Sequence, residues 1–306
     1  MEFTFGSDPE FMLVNKHYTL KSAIGVLPKR INSKSIAGSY YYYDNVLAEI
    51  AVKPSTNKQE TIINFKNSIT KLASLIKPLK LEMLCAGNYR IKELEHDDAR
   101  IAGCSPEWNA YTLQCVMPPE KIISKTSFRT AGGHIHLGCE TLKDPFTIFA
   151  TIRMMDLFIA IPSLFLDPDS SSKERRKIYG HAGTHRITDY GLEYRALGNF
   201  WLSSPELVGL IYDLCSFTLD FVYNKNHEKF WCINQNLLDE EDPSLAHKCF
   251  GYDVRELIRC INKCDKKSAL KFMTFISHYL PPRLLKEINR LMDKKMPNPY
   301  VCWQIV

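Results

Sequence analysis

The segment GSDPEF carries two carboxylates, Asp8 and Glu10, on either side of Pro9. Strand side chains alternate between faces, so an acid–x–acid spacing sends both to one side. Two anions so placed repel unless both face water, as on an edge strand bearing a proline, or a divalent cation neutralises them. YYYDNVLAEIAVKPS adds Asp44, Asn45 and Glu49. Read as one strand, it turns Leu47, Glu49 and Ala51 to one face and Ala48, Ile50 and Val52 to the other, and gives Asp44 the opposite parity from Glu49. Glu49 thereby places a charge in an apolar strand. A carboxylate there needs a cation: Lys or Arg if its role is structural, a metal if it is functional.

TAGGHIHLG puts His134 and His136 on one strand face and Ile135 and Leu137 on the other, so both imidazoles reach one cavity. HxH spacing occurs in metal sites, and Gly132 and Gly133 let the backbone approach a ligand closely; the alternative is a pair of hydrogen-bonded core histidines. YGLEYRALGNFW carries Glu193 and Arg195 on one face, and RRKIYGHAGTHRITD just upstream supplies Arg175, Arg176, His185 and Arg186. The planar fork of arginine matches phosphate and carboxylate, and several arginines beside a glutamate and a histidine pair suit a polyphosphate bridged by metal. The alternative is a Glu193–Arg195 ion pair with no further role. Four segments thus each turn acids, histidines or arginines to one face, which is the set that two hard divalent ions and a triphosphate require. The sequence has no GxxxxGKS/T loop, no kinase HRD or DFG set and no GxGxxG, so a bound nucleotide is held by metals rather than at a helix N-terminus.

These side chains need a scaffold, and the first half of the chain supplies strands. FTFGSDPEFMLV, SYYYYDNVLAEIAV, LEMLCAG and AYTLQCVM are rich in β-branched, aromatic and leucine residues and are bounded by turn formers. One helix interrupts them over 57–77, with Ile62, Phe65, Ile69, Leu72 and Ile76 at helical spacing, a capping Asn57 and a stop before Pro78. Residues 144–166 form a second, very apolar helix capped by Asp144, which Pro162 is expected to kink or end. Arg153 and Asp156 in its middle favour a core helix over a membrane span. From about residue 204 the pattern is helical, at 205–223, 253–264, 267–279 and 282–294, divided by the acidic loop DEEDPS and by Pro281–Pro282. Basic residues recur on these helices as a solvated face. The expected division is a catalytic core over 1–204 and a helical region over 205–306.

Composition bounds the rest. Over 306 residues, 45% apolar and 24% charged content excludes disordered, collagen-like and coiled-coil chains. No apolar run reaches the roughly 20 residues of a spanning helix, and MEFTFGSDPE lacks the features of a signal peptide, so a soluble, cytoplasmic protein is expected. Thirty-nine basic against 34 acidic residues leave a charge of +5, too slight to indicate nucleic acid but suited to a small anionic substrate. Ten cysteines without a CxxC pair fit reduced thiols, with Cys260 and Cys264 in a buried helix stripe.

GSDPEF, the DN…AE strand, GCSPEWNAY, RTAGGHIHLG and YGLEYRALGNFW together resemble the phage-type carboxylate–amine ligases, the type 2 amidoligases of the glutamine synthetase and glutamate–cysteine ligase fold group. The resemblance covers about residues 1–204. It implies an α+β fold: a curved antiparallel sheet with the active site on its concave face, backed by helices. It implies ATP and Mg²⁺ or Mn²⁺ as cofactors, Asp8, Glu10, Glu49, His134 and Glu193 as metal ligands, and Arg195, Glu49 and His136 in catalytic roles. Arg195, Arg186, Arg176 and His136 would contact the nucleotide, and Asn45, Glu107 and Asn109 the substrates, with the 103–111 and 175–186 segments as loops over the cavity. The reaction implied is attack of a carboxylate on the γ-phosphorus of ATP, then attack of an amine on the acyl phosphate, in the cytoplasm of the host if the chain is phage-encoded. Partners beyond ATP are one acid and one amine substrate; membrane and nucleic acid are not indicated, and self-association stays open. Two other classes stay open: a zinc hydrolase using His134 and His136, and a non-catalytic anion-binding phage protein of the same fold.

Overall fold

The computed structural model describes residues 1–101, 106–117, 124–230, 252–294 and 298–305. Its strands are β1 (Thr4–Ser7), β2 (Glu10–Val14), β3 (Leu20–Lys21), β4 (Tyr40–Asp44), β5 (Leu47–Ser55), β6 (Lys80–Glu82), β7 (Ala86–Asn88), β8 (Glu107–Asn109), β9 (Cys115–Val116), β10 (Phe128–Thr130), β11 (Ile135–Gly138), β12 (Thr184–Thr188) and β13 (Gly191–Tyr194). Eleven form one sheet in the order β3-β2-β5-β1-β11-β13-β12-β8-β9, with β4 on β5 and β6 on β2, while β7 and β10 pair separately. All pairings between these strands are antiparallel. A large antiparallel sheet with helices, and a C-terminal part that is mostly helical, agrees with the expected α+β class.

All four expected strands are subdivided: LEMLCAG is split between β6 in the main sheet and β7, which pairs with β10, and the other three change for local reasons. Pro9 has no N–H for a ladder, so FTFGSDPEFMLV leaves β1 at Ser7 and resumes as β2 at Glu10. The long strand β5 holds both pieces, pairing Ser7 with Val52 and Glu10 with Glu49. SYYYYDNVLAEIAV is the hairpin β4–β5, turned at Asn45, whose φ of 53° is a left-handed value that asparagine tolerates well. Its register opposes Tyr42 to Glu49 and Asp44 to Leu47, and opposed residues share a face. The parity assigned from a single strand is therefore corrected: Asp44 lies on the same face as Glu49. AYTLQCVM likewise is a turn followed by the short β9 rather than one strand.

Helix Lys58–Leu75 begins where Asn57 accepts the backbone N–H groups of Gln59 and Glu60 at 2.8 and 3.0 Å, and it packs Phe65, Ile69 and Leu72 into the core beside β5. The apolar helix starts at Pro145 under an Asp144 cap but does not end at Pro162. A π turn over Asp156–Ala160 widens it just ahead of the proline, which then sits in the first turn of Ile161–Leu166, where a missing N–H breaks no bond. Pro145–Leu166 is long and apolar enough to cross a membrane, and here it is a buried core helix. Helix Pro205–Tyr223 lies against both earlier helices, and Phe5, Phe65 and Trp201 meet edge to face, with centroids 5.3 to 6.4 Å apart. Val254–Lys263, Lys266–Ser277 and Pro282–Met292 follow close to the expected spans, and Trp303 donates to the carbonyl of Leu202 at 2.7 Å, tying the C-terminal end to the same core. The DEEDPS loop and residues 103–105 lie outside the described residues.

Candidate active site

The register of β1, β11, β13 and β12 sets Gly6, His136, Glu193 and Arg186 in one row across the sheet. Asp8, just past β1, reaches this row: its Oδ1 lies 2.9 Å from His136 Nε2 and 3.3 Å from His134 Nδ1. His134 Nδ1 is also 3.5 Å from Glu193 Oε1, and the Tyr179 hydroxyl lies 3.2 Å from His134 Nε2. Arg195, fully buried, binds with all three arms of its guanidinium: Nε donates to Glu107 Oε2 at 2.8 Å, Nη1 to Glu193 and Nη2 to the Tyr179 hydroxyl. Arg186 Nη1 lies 3.4 Å from the other Glu193 oxygen.

A second group forms beside it. Glu10 and Glu49 are opposed across β2 and β5, and the hairpin brings Asp44 to them, so that one oxygen from each lies within 4.8 Å of the others. Their described hydrogen-bond donors are few: Tyr42 gives its hydroxyl to Glu49 at 2.8 Å, the backbone N–H of Asn45 donates to Asp44, and that of Gly132 donates to Glu10 at 2.6 Å. The glycine pair makes that last contact possible. A Cβ on Gly132 would stand 2.3 Å from His134 Nε2, and one on Gly133 would stand 2.5 Å from the Gly198 carbonyl. Bare Cα atoms here let the HxH strand sit against both the Glu10 carboxylate and the loop that follows Arg195.

The electrostatics divide the same way. Burial pushes Glu10 up to about 8, helped by the charges of Asp44 and Asp8, and it raises Glu49 far above the usual range together with Asp8, Asp44 and Glu10. Burial and Asp8 bring Glu193 up to about 7. Asp8 goes the other way: burial would raise it, but His136 and His134 outweigh that and hold it well below the ordinary value. His134 is pushed down to about 3 by burial and by Arg195, so it is a neutral imidazole, whereas Asp8 raises His136 against the effect of burial. Two sets of potential ligand atoms result, Asp8–His136–Glu193 and Glu10–Asp44–Glu49. Buried, mutually repelling carboxylate oxygens with one imidazole fit hard divalent cations such as Mg²⁺ or Mn²⁺, which take oxygen donors.

Residues 125–231, which hold the HxH strand, Glu193 and Arg195, match the family model described as Phage phiEco32-like COOH.NH2 ligase-type 2. Over that segment, about a third of the chain, the sequence is similar to this ligase family. The crystal structure of a bifunctional glutathione synthetase from Pasteurella multocida is similar over 95% of this chain and 51% of that one, at 10% identity and a TM-score of 0.40. The chain thus spans about half the length of that protein, and likeness at this level carries no argument about the site. No curated protein matches the chain.

The expected residues sort into three places. Asp8, Glu10, Glu49, His134, His136, Glu107, Arg186, Glu193 and Arg195 come together on one sheet face. Of the two histidines it is His136, not His134, that joins a three-ligand set. Asn45 and Asn109 are tied into the scaffold. The Asn45 amide binds the carbonyls of Ala99 and Ile101 at 2.9 and 2.8 Å and accepts from Arg129 at 2.8 Å. Asn109 accepts from the backbone of Tyr111 and donates to Ala182, both at 2.9 Å. Arg176 lines a different cavity of about 310 Å³, beside Asp167, Lys173 and Lys266, and donates to the Gly180 carbonyl at 3.1 Å. Four residues escaped sequence reasoning: Asp44 as a member of a ligand set, Tyr42 on Glu49, Tyr179 between His134 and Arg195, and Tyr190, whose hydroxyl meets His136 Nδ1 at 2.5 Å. Only Asp44 and Tyr42 left a signal, the aspartate–asparagine turn that creates the hairpin.

Proposed function

We propose that this chain joins a carboxylate to an amine at the expense of ATP, by way of an acyl phosphate. The observation that carries this reading is the pair of three-ligand acidic sets side by side on one sheet face, in a chain whose 125–231 segment is similar to a carboxylate–amine ligase family. Glu10, Asp44 and Glu49 would hold one Mg²⁺ or Mn²⁺, and Asp8, His136 and Glu193 the other. Bound there, such ions supply positive charge to the oxygens of a transferring phosphoryl group. The chain's own residues do the rest. Arg195, fixed by Glu107 and Tyr179, holds Glu193 in place and brings its positive charge to the phosphoryl site. His136, oriented by Asp8 and Tyr190, would give a ring nitrogen of its neutral imidazole to that second ion. Residues 1–204 form the catalytic core, with the helices of 205–306 supporting it. A surplus of carboxylates over imidazoles favours this reading over a zinc hydrolase, which would leave Glu10, Asp44 and Glu49 without a role.

The test is trapping with hydroxylamine as a generic amine. The protein is incubated with ATP, Mg²⁺, hydroxylamine and a mixture of the twenty amino acids and short dicarboxylic acids. A hydroxamate formed together with an equal amount of ADP supports the ligase. ATP left intact under all these mixtures, with zinc-dependent hydrolysis of an ester or peptide, would replace it by the hydrolase.

A further inference from the structure

Arg30 stands at a cavity of about 310 Å³ on the site face, whose lining includes Asp8, Tyr42, His136, Tyr190 and an apolar wall at Val52 and Pro54. It lies on the short helical turn Arg30–Asn32, which is held by backbone and neighbouring contacts and not by the arginine itself: Asn32 N–H donates to Lys29 O at 2.9 Å, Tyr43 N–H to Pro28 O at 3.0 Å, and the Ser33 hydroxyl to Tyr41 O at 2.9 Å. The guanidinium is 5.2 Å over the Tyr42 ring, so the ring positions it as a flat support. Among the described residues no hydrogen bond or ion pair within 4 Å takes up the guanidinium, which feels Glu49, Asp8 and Asp44 only at longer range. The other site arginines differ. The fork of Arg195 is occupied by Glu107, Glu193 and Tyr179, that of Arg175 by the carbonyls of Arg195 and Ala196, and Arg186 faces Glu193.

A partly exposed guanidinium that is positioned but unbonded, at the edge of a cavity with an apolar wall, has the geometry of a fork for a planar or tetrahedral oxyanion. We propose that Arg30 binds the anionic end of the ligand, a carboxylate or a phosphate, while the Val52–Pro54 wall takes the ligand's apolar portion. This deepens the ligase reading, in which both an acid and ATP bring such an oxyanion. It names a residue that lies outside the 125–231 family segment and outside both three-ligand sets.

The experiment is calorimetric titration of the full chain with succinate and, separately, with inorganic phosphate, each with and without Mn²⁺, in wild type, Arg30→Ala and Arg30→Lys. Loss of a charge-assisted fork weakens binding by about tenfold to a hundredfold. Weakening of that size for succinate alone assigns the fork to the acid substrate, for phosphate alone to the nucleotide, and for both to oxyanions generally; Arg30→Lys falls between. Equal affinities in wild type and Arg30→Ala, or no anion binding by wild type in any of these mixtures, overturns the proposal. Arg30 is exposed and unbonded among the described residues, so Arg30→Ala is expected to melt with wild type; if it does not, the Arg30→Lys titration decides. Mn²⁺ binding is read in the same samples by electron paramagnetic resonance. Its absence tells against the ligase reading, and the metal-free titrations then judge Arg30 alone.

Discussion

Asp8, His136 and Glu193 have arginines bonded directly within the set, while Glu10, Asp44 and Glu49 on the same sheet face feel Arg30 and Arg195 only at longer range. In the first set Glu193 touches Arg195 and Arg186, and Asp8 is flanked by both histidines. In the second the described donors are one phenol and two backbone amides, those of Gly132 and Asn45. Asp8 is accordingly held low, while Glu10 rises to about 8 and Glu49 further. Buried acids with no cation bonded directly to them destabilise the fold that holds them, so their presence on three different strands marks the second set as the one that depends more on an ion from outside. The first set is partly neutralised from within, so the ion it takes up should bind the more weakly of the two.

If that contrast holds, Glu49→Gln has the largest effect. It should abolish ion binding at the second set and lower hydroxamate formation by about three orders of magnitude, on the scale of removing a principal charge-stabilising element. A loss of less than about tenfold would make the second set a structural feature. Arg195→Lys comes next: it keeps the charge but loses the fork that meets Glu107, Glu193 and Tyr179. Turnover should fall by about two to three orders of magnitude, while affinity for the Mn²⁺ complex of a non-hydrolysable ATP analogue changes much less. A large loss of nucleotide affinity with turnover intact would reverse the roles given to the two sets.

The contrast also predicts the sign of a pH effect on stability. Glu10 is raised to about 8 in the folded chain from an ordinary 4.5, so its protonation contributes stability that is fully present below 4.5 and lost as pH rises through 8. Glu193, raised to about 7, acts in the same direction. The metal-free protein should therefore melt at progressively lower temperature between pH 5 and 8, and Mn²⁺ should raise the melting temperature more at pH 8 than at pH 6. Glu49→Gln should melt above wild type without metal at pH 8 and gain less from Mn²⁺. An Mn²⁺ effect independent of pH would separate ion binding from these carboxylates. The smallest effects belong to the asparagines expected from sequence to touch substrate. Asn45→Ala should cost about 1 to 3 kcal/mol in denaturant unfolding by leaving buried carbonyls unpaired, and Asn109→Ala about 1 kcal/mol, with Michaelis constants unchanged for both. A changed constant without a stability loss would return either residue to the site.

Much of this site is legible in the sequence because strand alternation is a local rule. It places His134 with His136 and Glu193 with Arg195 correctly from spacing alone, and the caps at Asn57 and Asp144 locate their helices. Alternation fails wherever the chain turns. Asn45 makes a hairpin within what reads as one strand, which moves Asp44 to the face of Glu49, and Pro9 divides Asp8 from Glu10 so that they serve different sets. The π turn ahead of Pro162 depends on how the whole helix packs, and no residue pattern announces it. Arg30, Tyr179 and Tyr190 reach the site from loops and turns, where no periodicity indicates direction. Arg176 shows the converse: of the arginines clustered in sequence it alone lines the cavity beside Asp167, while Arg186, beyond the turn at Gly180, faces Glu193.

Titration of Mn²⁺ into the metal-free chain at pH 7.5, followed by electron paramagnetic resonance, tests the central claim that these two acidic sets are cation sites. Wild type should take up two ions per chain and Glu49→Gln one. No uptake by wild type, or the same uptake in both proteins, would contradict it.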